Sequence, residues 1–152
     1  MTHVVEVDQS GRIEYSREDT VLAFANGKSY SILIPATVKR ECISTLRQWK
    51  LEGPNFYLQL FSVSLYLLLK DHIEDLYPAY LDREFLGRER EIKRYLLNLF
   101  QSRGYKVDAN QIQFTFIGKH SPAHFAAYNT LIGKLKPNRI ITTEEILKEF
   151  KQ

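Results

Sequence analysis

The sequence feature that most constrains the fold is a pair of apolar runs on either side of Asn26-Gly27. The first run covers residues 21 to 24 and the second covers residues 30 to 34. Asn-Gly is the dipeptide that best suits the two positive φ angles of a type I′ turn between antiparallel strands. The pattern therefore predicts a β-hairpin, and Pro35 ends its second strand because proline cannot donate to a strand ladder.

The residues before this hairpin predict a further strand. β-Branched residues dominate positions 3 to 7, and the run 12 to 15 either continues that strand or follows a turn at Ser10-Gly11. Together with the hairpin, this strand gives a meander of three strands at the start of the chain.

The rest of the chain alternates between helical and extended patterns. Apolar residues spaced near 3.6 predict helices over 37–50 and 88–102. An apolar run predicts a helix over 55–72, Ser121-Pro122 predicts the start of a helix that runs to about 135, and the acids after Thr143 predict a last short helix. Extended patterns cover 77–85 and 111–117. This order predicts an α/β fold with a mixed five-stranded sheet flanked by helices, in which three antiparallel strands are followed by two parallel ones.

Size and composition favour one domain over residues 1–152. With 152 residues, 44% of them hydrophobic, the chain can bury a single sizeable core. A net charge of +3 permits a nucleic-acid partner without indicating one. The lone Cys42 excludes an internal disulfide, and no Cys or His pair has zinc-site spacing. The apolar tract 58–69 is too short for a bilayer and no leader is visible, so we expect a cytoplasmic protein without membrane contact.

Carboxylates accompany two of the predicted strands. Asp8 follows the first strand, while Asp82 and Glu84 share the strand over 77–85, where alternate side chains point to the same face. If these strands are neighbours, the three acids converge. Clustered like charges are unfavourable unless a cation lies among them, and Mg²⁺ or Mn²⁺ is the usual partner of oxygen ligands. The pattern therefore predicts a divalent-metal site.

The order of elements resembles the ribonuclease H-like superfamily, and Asp8-Gln-Ser-Gly-Arg12 looks like the Asp-Glu-Ala-Gly-Arg signature of type 2 ribonucleases H. In that superfamily the first and fourth strands carry metal-binding aspartates, and the helix after the fifth strand supplies a last ligand. The matching positions are Asp8, Asp82 and the segment 121–134. That segment contains no acid, and its candidates are His124 and Asn129. His124 is similar to the histidine that completes the site in PIWI domains and some Holliday-junction resolvases.

The resemblance implies a metal-dependent nuclease that hydrolyses phosphodiester bonds of DNA or RNA. Asp8, Asp82 and His124 would bind two Mg²⁺ or Mn²⁺ ions, which activate water and stabilise the leaving oxygen. Imidazole suits Mn²⁺ better than Mg²⁺. Glu84 is the preferred further carboxylate, and Glu52 is the alternative.

Four residues are expected to contact the nucleic acid: Ser10, Arg88, Lys119 and His120. Lys119 and His120 precede the helix that starts at Ser121, whose free N–H groups favour a phosphate. Arg88 opens a run of basic residues that could follow a nucleic-acid strand. A homodimer would suit a resolvase-like role.

Simpler interpretations stay open beside these. Asp8 could merely start a turn, and His124 could be a structural residue of its helix. Asp82 and Glu84 could be exposed acids paired with arginines at 83, 88 or 90. In that case the chain would be a binding module for nucleic acid or protein without a working metal site.

Overall fold

The computed structural model describes residues 3–26, 28–51, 53 and 55–150. Its centre is a mixed sheet of six strands in the order β5-β4-β1-β2-β3-β6. The strands are β1 His3–Ser10, β2 Thr20–Asn26, β3 Lys28–Ile34, β4 Leu76–Asp82, β5 Ile112–Thr115 and β6 Arg139–Ile140.

Five α-helices flank this sheet among the described residues. They are α1 Ala36–Gln48, α2 Phe56–Leu69, α3 Glu89–Ser102, α4 Pro122–Leu131 and α5 Thr143–Leu147, with short 3-10 turns at Ile73–Asp75 and Ala109–Gln111. Within the described part of the chain, every helix is too short or too polar to cross a lipid bilayer.

The meander of the first three strands is confirmed. β1 pairs with β2 and β2 pairs with β3, both antiparallel. The predicted type I′ turn depends on Gly27, which lies outside the described residues. The alternative that the strand continues over 12–15 is wrong, because the chain leaves the sheet at Gly11 with a φ of +75°. A Cβ at Gly11 would lie 2.1 Å from the carbonyl oxygen of Asp19, so only glycine fits there.

β4 and β5 are added in parallel beside β1, as predicted. The predicted number of strands, five, is corrected to six by β6. Arg139 pairs with Ile32 and Ile140 with Leu33, so β6 extends the β3 edge in parallel. A strand of two residues has no periodicity of its own, and only its pairing with β3 defines it.

One face of the sheet carries the main hydrophobic core. α2 is buried along almost its whole length and lies at the centre of this core, beside the apolar faces of α1, α3 and α5. Apolar residues all round a helix are typical of a helix enclosed by other elements.

The opposite face is covered by α4. Val21 and Ala23 of β2 pack against Ala126 and Ala127, whereas Leu22 between them belongs to the main core. Alternate residues of a strand point to opposite faces, which explains this division. Because the contact residues are small, α4 lies close to the strands, and its first turn reaches the end of β1.

Candidate metal centre

The ends of two parallel strands bring Asp8 and Asp82 together. Val7 pairs with Leu81, and Asp8 and Asp82 are the next residues of β1 and β4. Glu84 lies two residues beyond the end of β4, so the strand predicted over 77–85 is shorter than expected. The acids Asp71, Glu74 and Asp75 precede β4 and therefore lie at the other end of the sheet.

The three carboxylates form one compact group. Ligand oxygens of Asp8, Asp82 and Glu84 all lie within 4.8 Å of one another. Oxygens bound to one hard cation are separated by about 3 to 5 Å, since each bond measures roughly 2.0 to 2.6 Å. The spacing therefore fits a shared divalent cation. Asp8 is only 5% exposed, and Glu84 is mostly buried.

His124 joins this group from α4. Its Nδ1 lies 3.0 Å from Oδ2 of Asp8, and its ring is parallel to that of Tyr128 at 6.3 Å. The helix start is held in place by Ser121, whose hydroxyl accepts from the N–H of Ala123 and donates to Oε1 of Glu6 in β1 at 2.7 Å. A carboxylate can only accept, so Nδ1 carries the proton while Asp8 is ionised.

Mutual repulsion and burial change the protonation of the cluster. Burial, followed by the charges of Asp82 and Asp8, raises the pKa of Glu84 to about 8. Burial also raises the pKa of Asp8, although the hydrogen bond from His124 opposes the shift. Without a cation, Glu84 therefore holds a proton at neutral pH. A divalent ion that binds here displaces this proton.

Gln9 is the residue that sequence reasoning missed. It is 7% exposed, and both its amide oxygen and its amide nitrogen are buried without a hydrogen-bond partner. It lines a cavity of about 10 Å³ with Asp8, Asp82 and Glu84. The amide is near enough to lower the pKa of Glu84, yet no hydrogen bond of normal geometry forms.

Such an unpaired amide is costly, at about 1 to 3 kcal/mol, unless a ligand satisfies it. The only comparable atom among the described residues is Oε1 of Glu14, whose other oxygen is already paired with Arg12. The sequence does contain one indication. Gln9 lies on the same strand face as the buried Val5 and Val7, although its side chain is polar.

Arg12 lies at the border of the cluster. Its guanidinium is 3.4 Å from Oε2 of Glu84 and 3.0 Å from Oε2 of Glu14, and it also donates to the backbone oxygen of Glu84. This cation offsets part of the negative charge. It also ties the segment after β1 to the segment after β4.

The buried Lys39 of α1 holds the backbone that carries Arg12. Its Nζ donates to the carbonyl oxygens of Arg12 and Tyr15 and to the hydroxyl of Thr20, at 3.3, 2.6 and 2.9 Å. Burial lowers the pKa of Lys39 to about 8. Three hydrogen bonds from Lys39 therefore fix the turn between β1 and β2.

The residues expected to contact nucleic acid are placed differently from one another. Lys119 and His120 are exposed just before α4, and Ser10 is half-buried at the end of β1. Arg88 is bonded to Glu91 and Asn55, so it reaches a substrate only by giving up these contacts.

The simpler interpretation of exposed acids beside neighbouring arginines does not describe the structure. Arg83 pairs with Glu89 and Arg88 pairs with Glu91, while Glu84 pairs with Arg12. Asp8 belongs to β1 rather than to a turn.

The sequence offers two alternative ligands, Asn129 and Glu52. Asn129 of α4 lines a separate groove with Lys28 and Phe125. Glu52 lies outside the described residues.

A comparison with family models, with curated proteins and with solved structures finds no match to this chain. The functional argument therefore depends on the site itself.

Proposed function

We propose that this protein is a metal-dependent nuclease of ribonuclease H-like type, which hydrolyses phosphodiester bonds of DNA or RNA with Mg²⁺ or Mn²⁺. One observation carries the proposal. Three carboxylates have ligand oxygens within 4.8 Å of one another, beside the buried, unpartnered amide of Gln9. A group of one buried and two partly buried acids with an unsatisfied neutral donor matches the needs of a hard cation.

The topology supports the same proposal. β1 is a central strand, antiparallel to β2 and parallel to β4, with β5 beyond β4. The resemblance noted in the sequence requires this arrangement. β6 is then an addition at the β3 edge.

The chain's own residues define the roles in this mechanism. Asp8, Asp82 and Glu84 would hold the cation, His124 would complete the donor set through a ring nitrogen, and the Gln9 amide oxygen would be the neutral donor. When bound, divalent ions supply an activated water and neutralise charge at phosphorus. The proton that Glu84 holds in the metal-free protein leaves on binding.

The substrate phosphate has a separate set of contacts. Lys119 and His120 are exposed beside the first turn of α4, which the Ser121 contacts hold against β1. Free N–H groups and the helix dipole attract an anion at such a position. Lys119 would act as a point charge on a phosphate near the cleaved bond.

A non-catalytic binding module for nucleic acid or protein, with the same fold, is the second candidate. One observation favours it: Arg12 already pairs with Glu84, and His124 already contacts Asp8. The cluster is therefore partly compensated without any metal ion.

Thermal melting during a Mn²⁺ titration separates the two candidates. At a Mn²⁺ concentration 100 times Kd, a single site stabilises the protein by about 2.7 kcal/mol, which raises Tm by roughly 5 to 10 °C. We expect Asp82→Asn to lose this rise and to lose cleavage of labelled oligonucleotides. The matched control is Asp71→Asn, an exposed acid at the other end of the sheet. A wild-type Tm that does not respond to Mn²⁺ or Mg²⁺ would favour the binding module.

A further inference from the structure

Acidic side chains are absent from one segment of the chain. Residues 109 to 143 contain no Asp or Glu, but they contain Lys119, Lys134, Lys136 and Arg139. These four charges give the segment a net charge of +4, and residues 86 to 107 carry the same net charge with two acids among six basic residues. The segment includes β5, the loop after it, α4 and β6. A surface that carries cations and no acids is suited to contact with a nucleic acid.

The same segment exposes aromatic rings. Phe116 is 68% exposed, Phe125 61% and Tyr128 49%, although phenylalanine is among the residues most often buried. The guanidinium of Arg83 lies over the ring of Phe116 at 4.9 Å. Phe125 and Tyr128 are three residues apart in α4 and therefore lie on the same side of the helix.

These rings lie on two sides of the carboxylate cluster. The N–H of Ile117, next to Phe116, donates to Oδ1 of Asp82 at 2.7 Å. On the other side, the ring of Tyr128 is parallel to that of His124, which contacts Asp8. A separate groove of about 410 Å³ lies along another side of α4, lined by Lys28, Ser29, His120, Pro122, Phe125 and Asn129 among others.

We propose that this surface, made of the loop 116–120 and the exposed side of α4, binds single-stranded nucleic acid across the carboxylate cluster. Unpaired bases would stack on Phe116, Phe125 and Tyr128, while Lys119 and Lys28 contact phosphates. Stacking needs an accessible base face, which a duplex hides between neighbouring pairs. The inference rests on the proposed function, because it names the form of substrate that the same site cleaves.

A second copy of the chain suits this surface less well. The apolar stripe of α4 continues to Ile132 and Leu135, which are also exposed. In a two-fold dimer, however, the same basic patch lies on both sides of the interface, so the lysines at 134 and 136 of the two copies would be brought towards one another. Like charges opposed in this way are unfavourable, whereas phosphates complement them.

Fluorescence anisotropy in EDTA tests the proposal without any cleavage. The probes are labelled DNA and RNA strands of about 20 nucleotides and their duplexes, a length that exceeds typical single-strand site sizes. We expect wild type and Asp8→Asn to bind single strands at least roughly tenfold more tightly than duplexes. Phe125→Ala and Tyr128→Ala should each weaken single-strand binding by about tenfold. Tyr57→Ala, an exposed aromatic of α2, is the matched control and should change nothing.

Three outcomes would overturn the proposal. Equal affinity for duplex and single strand is the first, and unchanged binding by both α4 variants is the second. The third is a dimer in sedimentation that dissociates on Tyr128→Glu, because a second copy would then cover this face.

The result is separable from the nuclease proposal. Single-strand binding that persists in EDTA, without cleavage under any metal, would reject the nuclease and keep this surface. Cleavage of duplexes without any single-strand preference would keep the nuclease and reject the surface. The DNA and RNA probes identify which of the two sugars the surface accepts.

Discussion

Lys39 and Gln9 are both buried polar side chains near the end of β1, but their surroundings differ. Lys39 is 0% exposed, and its ammonium group has three oxygen acceptors. Gln9 is almost as deeply buried, and neither of its amide atoms has a partner. Buried polar groups in folded proteins are normally satisfied, so the environment of Lys39 is complete whereas that of Gln9 leaves a buried amide unsatisfied.

The two environments are connected through Arg12. Lys39 holds the carbonyl of Arg12, and the guanidinium of Arg12 pairs with Glu84 in the cluster that Gln9 borders. A complete hydrogen-bond network therefore supports an incomplete one. Rigid support of this kind would keep the carboxylates in position for the proposed cation.

The largest expected effect comes from Lys39→Met. The substitution keeps the length of the side chain but leaves two carbonyls and a hydroxyl without their donor, so we expect a loss of roughly 3 kcal/mol or more in the free energy of unfolding. Urea denaturation measures it. Lys148→Met, at an exposed position of the same charge, should change stability by less than about 0.5 kcal/mol. Equal stability of the two variants would show that the Lys39 network is not structural.

A smaller effect is the dependence of stability on pH that Glu84 causes. Its pKa is about 8 in the folded protein against 4.5 for the free side chain, so the folded state keeps a proton that the unfolded state releases. The stability of the metal-free protein should therefore fall as pH rises from about 4.5 to about 8, by on the order of 2 to 4 kcal/mol. Glu84→Gln should flatten this slope, whereas Glu74→Gln at the other end of the sheet should keep it. Saturating Mn²⁺ should also reduce the fall in the wild-type protein.

The smallest expected change in stability comes from Gln9→Met. It replaces an unpaired amide by an apolar group of similar shape, so the metal-free protein should become more stable by about 1 kcal/mol. The same variant should bind Mn²⁺ more weakly, by about 10- to 100-fold if the amide supports the site. Gln113→Met, an exposed position of β5, is the control for both measurements. If Gln9→Met were less stable and bound Mn²⁺ as tightly as wild type, Gln9 would be a structural residue like Lys39 and would not support the metal site.

The order of the elements could be predicted because the local signals agree with the final fold. Pro35 lies directly after β3, and Ser121 caps α4 through its hydroxyl. The convergence of Asp8 and Asp82 followed from placing two acids at the ends of neighbouring parallel strands.

The remaining features depend on contacts that local patterns do not contain. β6 exists only through its pairing with β3, and the stretch 12–15 resembles a strand although Lys39 and Gly11 hold it in a turn. Gln9 cannot be recognised from the sequence, because what distinguishes it is the absence of a hydrogen-bond partner in the folded protein.

The alanines between α4 and β2 influence how closely His124 approaches the carboxylates. Ala126 and Ala127 rest on Val21 and Ala23, so methyl groups determine the clearance between helix and sheet. A bulkier side chain at Ala126 would push α4 away from the sheet and move His124 away from Asp8. The distance between the imidazole of His124 and Asp8 could thus be changed without altering any group of the proposed metal site.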